Sequence, residues 1–165
     1  MFNHAPNDYA CPFCLLVQGG ESKYNSQQDI VYQDELVTAF VSPRWWPNNP
    51  GNVIIVPNRH HENIYDLLSE SACRIQDIAK EIAIAFKETY KCDGVSTRQH
   101  NEPAGGQDVW HYHLHIFPRY EGDNLYLSSA NRDFVPLEKR IAYAERLREY
   151  FSLKNAWNVR VETAL

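Results

Sequence analysis

The chain has 165 residues and a formal net charge of −5, with no run of Lys or Arg. This argues against a binder of duplex nucleic acid, because such proteins need a basic surface. The hydrophobic fraction of 44% is ordinary for a globular protein, and the length predicts one domain. No stretch of roughly 18 apolar residues is present, and residues 1–10 lack an apolar signal core, so we expect a cytoplasmic protein with no membrane partner.

The first part of the chain has the pattern of short strands separated by polar loops. The polar segment 19–29 predicts a loop, and the stretches 30–33 and 36–41 predict two short strands. Three prolines in the segment 42–51 indicate an irregular loop. The β-branched run 53–56 is typical of a buried strand.

An amphipathic helix is predicted next. Ser69 or Ser71 is expected to cap its first turn, and Asp93-Gly94 is expected to end it, because glycine tolerates a positive φ. The apolar face is formed by residues at helical spacing: Ile75, Ile78, Ala79, Ile82 and Phe86.

The rest of the chain alternates strands and helices again. The predicted elements are a strand at 94–99, a glycine-rich turn at 101–107, a strand at 109–117 stopped by Pro118, an amphipathic helix at 137–151 and a last short strand at 159–161. The order of strands, helix, strands and helix predicts an α+β domain with an antiparallel sheet and helices on one side.

The strongest functional signal is the row His111, His113 and His115. Side chains alternate faces along a strand, so the three imidazoles are expected to share one face. A neutral imidazole can act as nucleophile or base, and a neighbouring one can transfer protons. A row of partly exposed surface histidines and a three-histidine zinc site are the alternatives that this motif alone leaves open.

The glycine-rich turn before this row is suited to an anion. Gly105 and Gly106 expose backbone N–H groups, which can hold a phosphate. Asn101 and Gln107 add neutral hydrogen-bond donors. The turn by itself is weak evidence, but joined to the histidines it indicates a phosphate site.

Together these segments resemble the signature of the histidine-triad (HIT) family, in which an Asn and a Gly-Gln turn precede alternating histidines and apolar residues. Here the histidine segment is 111–117, and the stretches 39–40 and 50–57, followed by His60, are similar to the family's central strand and turn. The resemblance covers residues 9–118. It implies an α+β, HIT-like fold with an antiparallel sheet of about five strands, one long central helix and a C-terminal helix.

The resemblance also implies an activity. Family members bind purine nucleotides or nucleotide conjugates, usually as homodimers, and hydrolyse or transfer nucleoside monophosphate groups. His113 would attack the α-phosphorus to form a nucleotidyl-histidine, and His115 would contact phosphate and help the leaving group depart. The implied substrates are dinucleoside polyphosphates or nucleoside phosphoramidates. The positions implied to hold the nucleotide and its phosphate are Asn101, Gly105, Gly106, Gln107, Ser42 and Asn52.

A second constellation begins with the CxxC pair Cys11 and Cys14, which alone can be redox-active, metal-binding or inert. In the HIT family such a pair often binds zinc with two histidines, which by position are His60 and His111. A Cys₂His₂ set fills tetrahedral Zn²⁺ with no open position, so the ion would be structural. The alternative is a pair of unliganded thiols. The neighbouring His61 is interpreted as a surface residue.

Three positions depart from the family pattern. Ser42 replaces an acidic residue that accepts the ribose hydroxyls, and a hydroxyl cannot replace a carboxylate as a double acceptor. Asn52 replaces a supporting histidine, and Asp108 replaces a Ser or Thr and would repel phosphate if it pointed inward. The unusual pair Trp45-Trp46 either covers a base or packs against the partner subunit, and we favour packing.

We therefore expect one domain over 1–165, with an N-terminal zinc-knuckle-like segment and loop at 1–29, a HIT core at 30–118 and a C-terminal extension with a helix at 119–165. The leading functional hypothesis is a HIT-type hydrolase or nucleotidyltransferase. The alternatives are a non-catalytic module that binds nucleotides or partners, and a metal-dependent hydrolase that uses the triad as ligands.

Overall fold

The computed structural model describes residues 2–162. Its strands are β1 Ile30–Gln33, β2 Val37–Val41, β3 Arg44–Trp45, β4 Val53–Pro57, β5 Gly94–Gln99, β6 Leu114–Arg119 and β7 Asp133–Phe134. Its α-helices are α1 Pro12–Val17, α2 Ser69–Ala85 and α3 Leu137–Glu162. No helix in the described part of the chain is long and apolar enough to cross a membrane.

Five strands form one antiparallel sheet in the order β1-β2-β4-β6-β5. The long helix α2 packs on this sheet, and α3 packs against β1 and α2. The predicted α+β fold with a five-stranded antiparallel sheet, a long central helix and a C-terminal helix is therefore confirmed.

The two faces of the sheet bury different clusters. On one face, Val53 and Ile55 of β4 pack with Ile75, Ile78 and Ile82 of α2 in the main core. The opposite face carries a smaller cluster with α1, made of Phe13, Leu16, Phe40, Ile54 and Val56. Because side chains alternate along each strand, β4 supplies both clusters. The second face is the one that carries the histidines.

The prediction of one strand over 109–117 is wrong in its bounds, since β6 begins only at Leu114. The N–H of Tyr112 donates to the carbonyl of His61 at 2.6 Å, so this stretch bonds to a loop rather than to the sheet. Pro118 does not stop the strand. The pairing of β6 with β4 ends at Ile116, so the edge of β6 that faces β4 is unpaired at Pro118. A proline is tolerated there because no hydrogen bond to β4 needs its missing N–H.

The segment 42–51 is not wholly irregular. Arg44–Trp45 forms β3, which pairs with Asp133–Phe134 of the C-terminal extension. Sequence reasoning missed β7 because a two-residue strand has no detectable periodicity.

The helix boundaries also differ from expectation. Neither Ser69 nor Ser71 caps α2, because the N-cap residue is Leu68, which makes no side-chain capping bond. A π-helical turn over Phe86–Tyr90 extends α2, and Lys91, with φ 57°, takes the left-handed position that we assigned to glycine. The predicted strand 159–161 is instead the end of α3, since no Gly or Pro interrupts residues 137–162.

Candidate active site

The structure divides the three histidines between two neighbouring sites. His115 lies on β6, whereas His111 and His113 lie in the extended segment before it. The His113 and His115 rings are 5.0 Å apart between centroids and both line one cavity. His111 turns toward the cysteine pair, and the ring of Phe13 contacts both His111 and His113 at 5.9 and 5.5 Å.

The orientation of His113 is fixed by the backbone. Its Nδ1 lies 2.7 Å from the carbonyl oxygen of His111, which can only accept, so Nδ1 carries the proton. The lone pair is therefore on Nε2. The side chain is buried, and burial lowers the pKa of His113 below its usual value. A neutral imidazole with a free Nε2 has the electronic form that a nucleophile needs.

His115 is also held in the neutral form. Burial lowers its pKa well below the usual value of 6.5, and the guanidinium charges of Arg98 and Arg132 act in the same direction. Its Nδ1 is buried without a partner among the described residues. The ring stacks on Phe117 at 5.7 Å with an interplanar angle of 21°.

Both rings open into a cavity of about 460 Å³, a size that suits a nucleotide. Aromatic and aliphatic side chains form most of its wall: Tyr9, Phe13, Tyr24, Trp46, Ile54 and Phe134. The Tyr24 and Phe134 rings stack at 4.2 Å, so β7 closes one side of the cavity. The C-terminal extension, which sequence reasoning left without a function, thus contributes to the wall.

Charged groups gather at the mouth of this cavity. Asp108 lies between Arg44 and Arg132, with oxygen–nitrogen distances of 3.8 and 3.6 Å. Its negative charge is therefore offset by two guanidinium groups. Sequence reasoning missed both arginines because they come from separate segments that only β3–β7 pairing brings together.

The residues of the glycine turn make internal contacts instead of lining the cavity. The Gln107 amide donates to the carbonyls of Glu62 and Val109, at 2.6 and 3.0 Å, and accepts from the Glu102 N–H. Asn101 accepts from the N–H of Ile64 at 2.9 Å. Gly106 has φ 86°, and a Cβ on Gly105 would lie 2.0 Å from the carbonyl oxygen of Asn101.

The other two predicted nucleotide positions are placed differently. Ser42 lines the cavity, but its hydroxyl closes a local turn, donating to the carbonyl of Arg44 and accepting from the Arg44 N–H. Asn52 is fully buried, and neither atom of its amide has a partner among the described residues.

The two tryptophans of the pair have different surroundings. Trp45 packs on Tyr143 of α3 in the same chain, at 4.9 Å between ring centroids. Trp46 is 4% exposed and lines the cavity, where its ring meets Phe117 edge-on at 4.8 Å.

The second site brings together Cys11, Cys14, His60 and His111, whose candidate ligand atoms all lie within 4.8 Å of one another. Cys11 Sγ is 3.3 Å from His111 Nδ1, and Cys14 Sγ is 3.3 Å from His60 Nδ1. Ligand atoms around tetrahedral zinc lie about 3.3–3.8 Å apart, so these spacings fit zinc.

The second ring nitrogen of His111 supports the same interpretation. Its Nε2 donates to the carbonyl of Pro57 at 2.9 Å, which leaves the Nδ1 lone pair facing the thiols. His61 is not a surface residue as expected. It is 7% exposed, because its carbonyl pairs with Tyr112 and draws it against the segment before β6.

Comparison with known proteins identifies relatives of this architecture. The HIT domain family profile matches residues 23–122. An uncharacterized HIT-like protein of Saccharolobus solfataricus is 31% identical over 141 residues, which are 86% of this chain and 89% of that protein.

Solved structures give the same result. A HIT-like protein from Bartonella henselae, described as involved in cell-cycle regulation and solved with an unknown ligand, has a TM-score of 0.74 and 28% identity over 89% of this chain and 99% of that one. A zinc-bound histidine triad family protein from Mycobacterium smegmatis shares the fold, with a TM-score of 0.71 and 24% identity over 89% of this chain and 96% of that one.

Proposed function

Because this chain belongs to the HIT domain family, we propose that it is a nucleotide-binding hydrolase or nucleotidyltransferase that uses His113 as its nucleophile. The observation that carries this proposal is the Nδ1 bond of His113 to the His111 carbonyl, which directs an unprotonated Nε2 toward the ligand cavity beside His115.

In the first step, Nε2 of His113 attacks the α-phosphorus of a bound nucleotide. A P–N bond forms, the bond from phosphorus to the leaving group breaks, and the leaving group takes the bonding electron pair. The ring then carries a positive charge, and its Nδ1–H remains bonded to the His111 carbonyl, which stabilises that charge. His115 is placed to contact the phosphoryl oxygens.

In the second step, an acceptor attacks the same phosphorus and the P–N bond breaks, so that His113 recovers its lone pair. When water is the acceptor, it loses a proton to solvent and a nucleoside monophosphate is released. Retention of a histidine at position 115 favours hydrolysis over transfer.

The cavity wall supports a purine nucleotide or nucleotide conjugate as the ligand. A base is a flat apolar surface, and Phe13, Tyr24 and Phe134 offer aromatic rings on the cavity wall. Asp108 is held by two arginines, so an anionic phosphate meets less repulsion than its position in the sequence suggests.

We propose that zinc binds Cys11, Cys14, His60 and His111 as a structural ion. Four protein ligands leave no position for water or substrate, so the ion would support folding and not chemistry. In its absence, burial and the neighbouring Cys11 raise the pKa of Cys14 to about 12, so zinc binding releases protons. The homodimer that the resemblance implies stays a prediction, which light scattering tests.

Incubation with labelled dinucleoside polyphosphates and nucleoside phosphoramidates, followed by denaturing quench, tests the catalytic proposal. We expect a labelled phosphohistidine in the wild type and none in His113→Asn. His4→Asn, at an exposed histidine outside the cavity, is the matched control and should retain turnover. Equal turnover by wild type and His113→Asn would overturn the assignment.

The second candidate is a nucleotide- or partner-binding module without efficient chemistry. One observation favours it: the Ser42 hydroxyl donates to the Arg44 carbonyl and accepts from the Arg44 N–H, so it cannot accept from both ribose hydroxyls. Nucleotide binding by calorimetry with no labelled histidine after the quench would support this candidate.

A further inference from the structure

Arg98 is a cation next to the proposed reaction centre. It is the cross-strand partner of His115 in the pairing of β5 with β6, so both side chains rise from the same face of the sheet. Arg98 is partly buried, and among the side chains that the structure describes it has no ion-pair partner and no hydrogen-bond acceptor. A guanidinium that lacks an internal anion beside a phosphate site is placed to bind an external one.

A second guanidinium joins it on the ring of Trp46. The Cζ atoms of Arg98 and Arg132 lie 5.9 and 5.6 Å from the centroid of that ring. Trp46 in turn packs edge-on against Phe117, on which the His115 ring is stacked. The aromatic cluster therefore holds both cations near His115: Arg132 lines the cavity, and Arg98 lies beside His115 on the neighbouring strand.

The local charge stays positive. Arg132 and Arg44 share the single carboxylate of Asp108, at distances longer than the roughly 2.7–2.9 Å of a strong charge-assisted bond. The side chains of Asp108, Arg44 and Arg132 are each more than a third exposed to solvent. Their ion pairs are therefore weak, and a ligand can replace them. Three arginines against one carboxylate leave an excess of positive charge for a ligand.

We propose that Arg98 and Arg132 form an anion subsite for the leaving group, so that the substrate is a nucleotide whose leaving group is itself phosphorylated. This inference rests on the proposed function and selects one substrate class from the two that the family resemblance implies. The P–O bond at the α-phosphorus breaks, and the leaving group departs with the electron pair as a phosphate oxyanion. Its negative charge is then offset by the two guanidinium groups.

The state of His115 agrees with this assignment. The imidazole is buried and its pKa lies well below 6.5, partly because of Arg98 and Arg132, so it carries no proton at neutral pH. An amine leaving group needs a proton in order to depart, whereas a phosphate leaves as a stable anion. A site that offers two guanidinium groups and no general acid therefore suits a nucleoside polyphosphate better than a nucleoside phosphoramidate.

Calorimetry with AMP and α,β-methylene-ADP tests the subsite without turnover, because the methylene bridge cannot be cleaved. In the wild type we expect the diphosphate analogue to bind at least about tenfold more tightly than AMP. Arg98→Gln and Arg132→Gln should each reduce this ratio to roughly threefold or less. Arg98→Lys, which keeps the charge, should retain part of it.

Arg146→Gln is the matched control. Arg146 lies over Tyr90 and Tyr143, away from the cavity, so this variant should keep the wild-type ratio. Equal affinity for both ligands in the wild type, or a ratio unchanged in both Arg98→Gln and Arg132→Gln, would overturn the subsite while nucleotide binding stands. Failure of the wild type to bind either ligand would instead overturn the proposed function, and the subsite with it.

Discussion

The backbone carbonyl of His111 accepts the Nδ1–H of His113, while the side chain of the same His111 faces Cys11 and Cys14. One residue thus belongs to both sites. Its ring is placed to hold a metal, and its carbonyl sets the tautomer of the proposed nucleophile. Because the two roles share one short backbone segment, the metal cluster and the catalytic geometry are mechanically linked.

The first prediction concerns this link. Cys14→Ser should abolish stoichiometric zinc in elemental analysis and lower the melting temperature by roughly 10 °C or more, because structural zinc contributes folding free energy. Turnover should fall as well, because the metal no longer fixes the backbone segment that carries the His111 carbonyl. Cys73→Ser changes an exposed thiol outside the cluster and should leave all three measurements unchanged. Full zinc content in Cys14→Ser would contradict the assignment of the ligands.

The second prediction distinguishes two roles of the Gln107 side chain, a structural role inside the protein and direct binding of phosphate. Gln107→Leu removes the partner of the Glu102 N–H and two donations to carbonyls, so we expect a loss of about 2 kcal/mol in the free energy of unfolding by urea titration. A direct phosphate ligand would instead raise KM with unchanged stability. The two readouts from one variant therefore decide which role the amide has.

The third prediction concerns pH. Asp123 is nearly fully buried and bonds Arg119 at 2.6 and 2.8 Å, and this guanidinium holds the pKa of the carboxyl well below its usual range. A carboxyl whose pKa is lowered by folding stabilises the protein above its unfolded pKa of about 3.9, and this contribution is lost as the pH falls further.

Asp123→Asn should therefore cost about 3 kcal/mol at pH 7, because it leaves a partly buried cation unpaired. The difference from wild type should shrink as the pH falls below about 4 in denaturant titrations. A difference that stays constant down to the pKa of an ordinary carboxyl and below it would show that the loss comes from packing alone.

The fourth prediction tests the main core. Ile82→Ala removes a fully buried side chain between α2 and the sheet and should cost about 3 kcal/mol in the free energy of unfolding. Ile84→Ala lies two residues along the same helix, where the side chain is 37% exposed, and should cost less than about 1 kcal/mol. An equal loss of unfolding free energy in Ile82→Ala and Ile84→Ala would mean that α2 is rotated relative to the sheet.

Several elements could be predicted from local sequence because their patterns are strong. The strands at 30–33 and 94–99 have the predicted bounds, and the helical spacing from Ile75 to Ile82 does face the core. The start of β6 could not be predicted. The residues from His111 to His113 alternate like a strand, but the Tyr112 N–H donates to the distant carbonyl of His61, and the His111 N–H and the His113 ring bond to carbonyls only two residues away.

The sequence by itself determined the fold class, the histidine row and the CxxC pair, because these depend on residue identity and short spacing, whereas His60 and His111 entered the ligand set through the family resemblance. Only the tertiary structure decided that the His111 ring faces the cysteines and not the cavity, that the Gln107 amide is occupied by the carbonyl of Glu62, and that Arg98 and Arg132 meet on Trp46. The physical reason is that hydrogen-bond saturation and charge proximity depend on contacts between distant segments, which leave no periodic pattern in the chain.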